Sequence, residues 1–145
     1  MDQLLVALDV DTANEATEMA DTLRDLVGGY KIGSRLFTRE GPSLVRTLVD
    51  RGDRVFLDLK YHDIPSVVRA ALHSASSLGV WMATVHTSGG TTMMSAAKEG
   101  AHSGRGKTKV VGVTVLTSFD ENGLGEIGIS GSITTQVDSM AKLAS

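Results

Sequence analysis

Short apolar runs alternate with longer amphipathic stretches along the 145-residue chain. Residues 4–8 are continuously apolar, which is typical of a strand that is covered on both faces. Later runs have the same length and character, and stretches with helical periodicity separate them. The predicted strands are residues 4–8, 30–32, 54–60, 80–85 and 109–116.

The predicted helices begin at polar caps and end at glycines. Asp11 and Thr12 can cap the first helix, which Gly28 and Gly29 close, and Pro65 is suited to the first turn of a later one. A Gly-rich loop is predicted between the last strand and the last helix. The predicted helices are residues 13–26, about 43–51, 65–78, 91–102 and 132–145.

This alternation predicts an α/β fold in which the strands form a parallel sheet with right-handed crossovers. The chain contains about five strand–helix units, whereas a complete eight-unit barrel needs about 250 residues. No linker interrupts the pattern, so residues 1–145 are expected to form a single domain.

Composition and charge exclude several classes of function. The formal net charge is -3, which does not indicate a nucleic-acid or membrane partner. Cysteine is absent, so disulfides and thiolate metal sites are excluded. No apolar run reaches the roughly 18 residues of a membrane span, and the N-terminus lacks the basic start of a signal peptide. A soluble cytoplasmic protein is expected.

Charged residues cluster where the third predicted strand ends. Side chains alternate along a strand, so Asp58 and Lys60 point to one face while Leu57 and Leu59 point to the other. Sites in parallel α/β folds lie at the carboxyl ends of strands, and Lys31 ends the neighbouring run, where it can flank Asp58. This grouping is compatible with a reaction centre.

The same residues also have a purely structural interpretation. Asp58 and Lys60 can form an ordinary ion pair at a strand end, and Asp63 with Pro65 can be no more than a helix cap. The spacing alone leaves both interpretations open. His86 is expected to be structural, because no second histidine or acid has ligand spacing to it, and His62 is expected to have a supporting role.

Five motifs together resemble the orotidine 5'-phosphate decarboxylase family. They run in the family's order over essentially the whole chain, and the His-Asp-Ile-Pro ending favours this family over relatives that use a similar DxKxxD pattern on sugar phosphates with magnesium. The motifs are VALD at 6–9, YKIG at 30–33 followed by LFTREGP at 36–42, FLDLKYHDIP at 56–65, VHTSGG at 85–90 and VTVLTS at 113–118.

The resemblance implies decarboxylation of orotidine 5'-monophosphate to uridine 5'-monophosphate, without a metal or an organic cofactor. It implies four catalytic residues: Lys60 as the proton donor to C6, Asp58 facing the substrate carboxylate, Lys31 completing the charge array and contacting the ribose, and Asp63 reaching into a partner subunit's site. It also implies a homodimer with sites at the subunit interface.

The resemblance further implies a set of substrate-binding residues. Asp9 would hold the nucleotide, and Thr117 would line the pyrimidine or the partner's ribose region. The full set is Asp9, Lys31, Asp58, Lys60, Asp63, Ile64, Pro65 and Thr117.

The family's fold implies that the five units form a truncated TIM-type (β/α) barrel. The late Thr-Pro-Gly-Ile-Arg-like segment that serves phosphate binding in the family is absent from these 145 residues. Severely reduced or no activity is therefore expected, together with self-association through open sheet edges at the first and fifth strands. The alternatives are a catalytically inactive assembly module and a magnesium-dependent relative acting on a sugar phosphate.

Overall fold

The structure, a computed structural model, describes residues 3–105 and 108–145. These residues form one parallel sheet with helices between successive strands, which confirms the predicted α/β class. No helix in these two ranges combines the length and apolarity needed to span a bilayer. The strands are β1 (Leu5–Ala7), β2 (Gly29–Gly33), β3 (Val55–Tyr61), β4 (Met82–His86) and β5 (Lys109–Val113).

The strands pair in sequence order, β1-β2-β3-β4-β5, and each neighbouring pair is parallel. Consequently β3 is the central strand, and β1 and β5 are the two edges. The helices are α1 (Ala13–Leu23), α2 (Ser34–Asp50), α3 (Pro65–Ser77), α4 (Gly90–His102), α5 (Glu121–Glu126) and α6 (Ile133–Ala144), with a 3-10 turn at Thr87–Gly89 before α4.

Local sequence accounts for the start of α1. The Thr12 hydroxyl accepts a hydrogen bond from the Glu15 N–H at 3.2 Å, and the Glu15 carboxylate accepts one from the Thr12 N–H at 3.0 Å. This reciprocal arrangement satisfies N–H groups that have no partner within the helix. The predicted cap at Thr12 is therefore confirmed, although α1 ends at Leu23 rather than at residue 26.

The prediction for α2 was wrong at its start. A helix was expected only after Gly41 and Pro42, but α2 begins at Ser34 and is kinked at Gly41, where φ is 65° and ψ is -161°. Pro42 follows the kink at the first turn of the second helical segment, where a missing N–H costs nothing. Leu36 is buried in the core and holds the first segment in place.

The prediction was also wrong after β5. That strand was expected to reach residue 116, but it ends at Val113, which pairs with His86, the last residue of β4. Beyond this pair β4 offers no further partner, so the apolar run leaves the sheet. The expected loop also contains α5, which is capped by the Asp120 carboxylate accepting from the Gly123 N–H at 2.8 Å.

The core lies between the sheet and the helices. Val55 and Leu57, on the face of β3 predicted to be apolar, are fully buried there, and Leu48 of α2 and Leu72 of α3 pack in the same cluster. The opposite face of β3 is only half-buried. The sheet therefore presents one face to the helices and leaves the other for polar side chains.

Candidate active site

Three charged side chains meet at the carboxyl ends of β2 and β3. The Lys60 Nζ donates a hydrogen bond to the Asp58 Oδ2 at 2.9 Å, and the Lys31 Nζ lies 3.6 Å from the same oxygen. The Asp58 side chain is only 13% exposed, while the two lysines are more accessible. One carboxylate is thus compensated by two ammonium groups, as buried charge requires, and the ammonium groups remain open to a ligand.

The second carboxylate oxygen of Asp58 is also occupied. The Thr84 hydroxyl of β4 donates to the Asp58 Oδ1 at 3.0 Å. Burial by itself would raise the pKa of Asp58, but the hydrogen bonds from Lys60 and Thr84 and the charges of Lys60 and Lys31 outweigh it and lower that pKa below its ordinary value. The Asp58 carboxyl is therefore ionised at neutral pH.

The backbone at Lys60 is irregular. Lys60 has φ 52°, a left-handed conformation that costs a residue with a side chain on the order of 1–3 kcal/mol. Between Leu57, which pairs with Ala83, and Tyr61, which pairs with Val85, β3 advances four residues while β4 advances two. This bulge sets where the Lys60 side chain leaves the sheet.

Asp9 borders the charge cluster. The Asp9 Oδ1 and the Lys31 Nζ each lie 3.9 Å from the point that a Cβ atom would occupy at Gly33. Because Gly33 has no side chain, the space between the carboxylate and the ammonium group is unfilled. Asp9 itself follows β1 and is exposed.

The remaining predicted residues are in the segments that follow β3 and β5. Asp63 and Ile64 lie between β3 and α3, which begins at Pro65. The Asp63 Oδ1 accepts a hydrogen bond from the Ile64 N–H at 2.6 Å, and Ile64 is 63% exposed. Thr117 lies exposed in the turn after β5. Within the described parts of the chain, no ion pair or hydrogen bond joins Asp63 or Thr117 to Asp58, so their roles stay predictions.

A pair of histidines was missed in the sequence. The rings of His62 and His86 lie 5.5 Å apart between centroids and are inclined by 40°. Burial first, and then the neighbouring His62 and Lys60, lower the pKa of His86. Both histidines border a cavity of about 220 Å³ whose other walls are mainly apolar and include Leu116 and Phe119.

Two signals for the missed residues exist in the sequence. His62 directly follows β3 and His86 ends β4, so neighbouring parallel strands bring them to the same edge of the sheet. Thr84 lies two residues before His86 and therefore shares its face. No group of three or more histidine, aspartate or glutamate side chains within residues 3–105 and 108–145 is arranged to hold a metal ion.

Comparison with known sequences assigns the whole described chain to one family. The model of the orotidine 5'-phosphate decarboxylase / HUMPS family matches residues 2–145. The orotidine 5'-phosphate decarboxylase of Legionella pneumophila (strain Paris) is 46% identical over 143 residues, which cover 98% of this chain and 62% of that protein. That of Halorhodospira halophila is 47% identical over 142 residues, or 98% and 60% of the two chains. The chain thus spans about three fifths of the length of these relatives.

Solved structures give the same result for the fold. The crystal structure of orotidine 5'-phosphate decarboxylase from Lactobacillus acidophilus superposes with a TM-score of 0.92 at 34% identity, over 97% of this chain and 66% of that one. An uncharacterized conserved protein from Geobacillus kaustophilus superposes with a TM-score of 0.89 at 36% identity, over 97% and 67%. The five strand–helix units therefore have a TIM-barrel-type arrangement.

Proposed function

Because the chain belongs to the orotidine 5'-phosphate decarboxylase / HUMPS family, we propose that it carries the reaction centre that decarboxylates orotidine 5'-monophosphate to uridine 5'-monophosphate. The observation that supports this most is the Asp58 carboxylate held between the ammonium groups of Lys60 and Lys31. These fixed charges lie at the carboxyl ends of parallel strands, the usual place for catalysis in this architecture.

Lys60 would perform the central chemical step. When the bond from C6 to the carboxylate breaks, carbon dioxide leaves and the electron pair stays on C6. A preorganised ammonium group beside that carbon stabilises the charge as it forms and then delivers a proton to C6. The resulting neutral amine regains its proton from water. The hydrogen bond to Asp58 holds the Lys60 ammonium group in position before the step.

Asp58 would act both on the two lysines and on the substrate. Its lowered pKa keeps it ionised, so it can hold both lysines in place at neutral pH. It would also face the substrate carboxylate, and the repulsion between the two anions is relieved when neutral carbon dioxide departs. The larger contribution comes from the preorganised charges, which need no rearrangement during the reaction.

The residues around this centre would bind the nucleotide. Lys31 would contact the ribose, and the exposed carboxylate of Asp9 nearby would hold the nucleotide through its hydroxyl groups. Asp63, Ile64 and Thr117 are in segments that follow β3 and β5, Pro65 begins α3, and Asp63 forms no ion pair within the described residues. We propose that they complete the site of a second subunit in a homodimer.

The isolated 145-residue chain is expected to be a poor catalyst. It spans 62% of the length of its Legionella relative, and phosphate sites in barrels of this type are usually built by the loops after strands seven and eight. Binding energy from a remote phosphate normally serves the reacting centre. We propose that these 145 residues contain the chemical part of the site without the phosphate part, and that the protein acts in the cytoplasm.

The proposal can be tested by measuring carbon dioxide release from carboxyl-labelled orotidine 5'-monophosphate with the purified chain. Slow release above the uncatalysed background is expected. Lys60→Ala should reduce it on the order of 100-fold or more, because both charge stabilisation and proton donation are lost. Lys98→Ala, which removes an exposed lysine of α4, should leave the rate unchanged.

Two results would contradict these proposals separately. Turnover close to that of full-length relatives would overturn the proposed impairment. Absence of both Lys60-dependent release and binding of uridine 5'-monophosphate would overturn the function and favour an assembly module, for which the open edges at β1 and β5 are the supporting observation. Loss of activity with EDTA, restored by magnesium, would instead favour the metal-dependent alternative.

A further inference from the structure

Thr84 contacts both of the charged residues contributed by β3. Its hydroxyl accepts a hydrogen bond from the Lys60 backbone N–H at 2.9 Å and donates one to the Asp58 Oδ1 at 3.0 Å. Thr84 is only 3% exposed, so water has little access to compete for these contacts. The Thr84 hydroxyl therefore links the Lys60 backbone to the Asp58 carboxylate, which in turn holds the Lys60 ammonium group.

This contact compensates for the bulge in β3. The two additional residues of β3 take the Lys60 N–H out of the regular pairing with β4, and a buried N–H without an acceptor costs about 1–3 kcal/mol. The Thr84 hydroxyl supplies that acceptor. A hydroxyl has one hydrogen, and here it is directed at Asp58, an ionised carboxylate that can only accept. The directions of both hydrogen bonds are thereby determined.

We propose that Thr84 is a positioning residue of the decarboxylation centre, because its hydroxyl sets the left-handed backbone of Lys60 and the orientation of Asp58 together. This inference rests on the proposed function, but the contacts it depends on are measurable without turnover. Thr84 acts through Asp58 and Lys60, and it needs no contact with the substrate to do so.

A role in packing alone would have a different signature. Valine has nearly the shape of threonine and suits a strand, so Thr84→Val should preserve packing while it removes both hydrogen bonds. Thr84→Ser removes a methyl group and keeps the hydroxyl. If the hydroxyl matters, serine should resemble the wild type and valine should differ, whereas a packing role predicts the opposite order.

The test uses two NMR measurements on the 145-residue chain. Carbon-13 titration of the Asp58 carboxyl group should show a higher pKa in Thr84→Val than in the wild type, because a donor to the ionised form is lost. Deuterium exchange of the Lys60 amide should become faster by about tenfold in the same variant, the effect of losing one hydrogen bond. Thr84→Ser should leave both properties close to their wild-type values.

The inference is overturned if Thr84→Val changes neither property, or if Thr84→Ser changes them as strongly as Thr84→Val does. Kinetics provide a second measurement: where the wild type releases carbon dioxide, Thr84→Val should lower kcat about tenfold with little change in KM, since misplaced catalytic groups slow the reaction without weakening binding. A normal kcat in that variant would also overturn the inference. A wild type that neither releases carbon dioxide nor binds uridine 5'-monophosphate would count against the proposed function, while the NMR results would still judge the role of Thr84.

Discussion

At the scale of single residues, both oxygens of the Asp58 carboxylate face donor groups. Lys60 and Lys31 approach one oxygen and Thr84 the other, so the carboxylate can neither rotate nor take up a proton easily. Such fixed charges are what electrostatic catalysis requires, because the groups are already oriented before the reaction begins.

His86 should make stability depend on pH. Its pKa is lowered in the folded protein by burial and by nearby positive charge, so the unfolded chain binds a proton more readily. The free energy of unfolding should therefore fall as pH decreases from the ordinary histidine pKa near 6.5 to the lower folded value, and level off below it. Chemical unfolding measured between pH 7.5 and 5 should show this decrease.

The matched variants for this measurement are His86→Gln and His102→Gln. The first should remove the His86 part of the decrease, while the second, at an exposed position in the last turn of α4, should retain it. An identical pH profile for His86→Gln and the wild type would contradict the assignment.

The sequence predicted part of this residue-level arrangement. Alternation along β3 placed Asp58 and Lys60 on one face, and parallel pairing brought Lys31 beside them. The strand ends indicate that His62 and His86 lie at the same edge of the sheet, and Thr84 shares a face with His86. The contacts of Thr84 with Asp58 and Lys60, however, depend on the bulge in β3 and on the left-handed backbone of Lys60, which the residue pattern does not indicate.

At the scale of elements, prediction succeeded where a cap and apolar periodicity agree, as at the start of α1, and failed at Gly41–Pro42. That pair indicates a helix start, yet the structure uses it as a kink inside α2. The backbone of Gly41, with positive φ and extended ψ, is accessible almost only to glycine. The Gly41–Pro42 pair therefore resembles a helix boundary in the sequence. The helical segment before it, from Ser34, depends on the tertiary contacts of the buried Leu36, which the local sequence does not indicate.

Replacement of Gly41 should therefore destabilise the fold. Gly41→Ala is expected to lower the free energy of unfolding by about 1–3 kcal/mol, since alanine is strained at this backbone conformation although space for its methyl group is free. Denaturant titration followed by circular dichroism would measure it. Gly125→Ala is the control: that site in α5 is equally open without a positive φ, so the change should be neutral or a gain of up to about 1 kcal/mol. Equal effects of the two variants would contradict the explanation.

At the scale of the whole molecule, the sheet ends on both sides in strands with only one neighbour. β1 and β5 each leave a row of backbone groups available for pairing with another chain. These open edges support the expected self-association. The order of the strands was predictable from the repeated units, whereas the partner of each edge is not encoded in any local pattern.

A charge on the β5 edge should weaken self-association. Val111 is partly exposed on this strand, and Val111→Lys is expected to shift the chain towards the monomer, because a charged side chain opposes pairing of edge strands. Light scattering after gel filtration, over a range of concentrations, would measure the mass. Val67→Lys makes the same change at an exposed position of α3, which connects the inner strands β3 and β4, and should leave the mass unchanged. A wild type that is monomeric throughout would refute the proposal.

Because β3 is the central strand, the charge cluster is separated from the two open edges of the sheet. Asp58 of β3 is contacted by Lys31 of β2 and by Thr84 of β4, the two strands that neighbour β3. None of these residues belongs to an edge strand. Outer segments of a domain fray at a lower free energy than its middle does. A strand from another chain that pairs with either edge would therefore meet a sheet in which the ammonium–carboxylate cluster is already assembled, so barrels with different outer strands can be built around it.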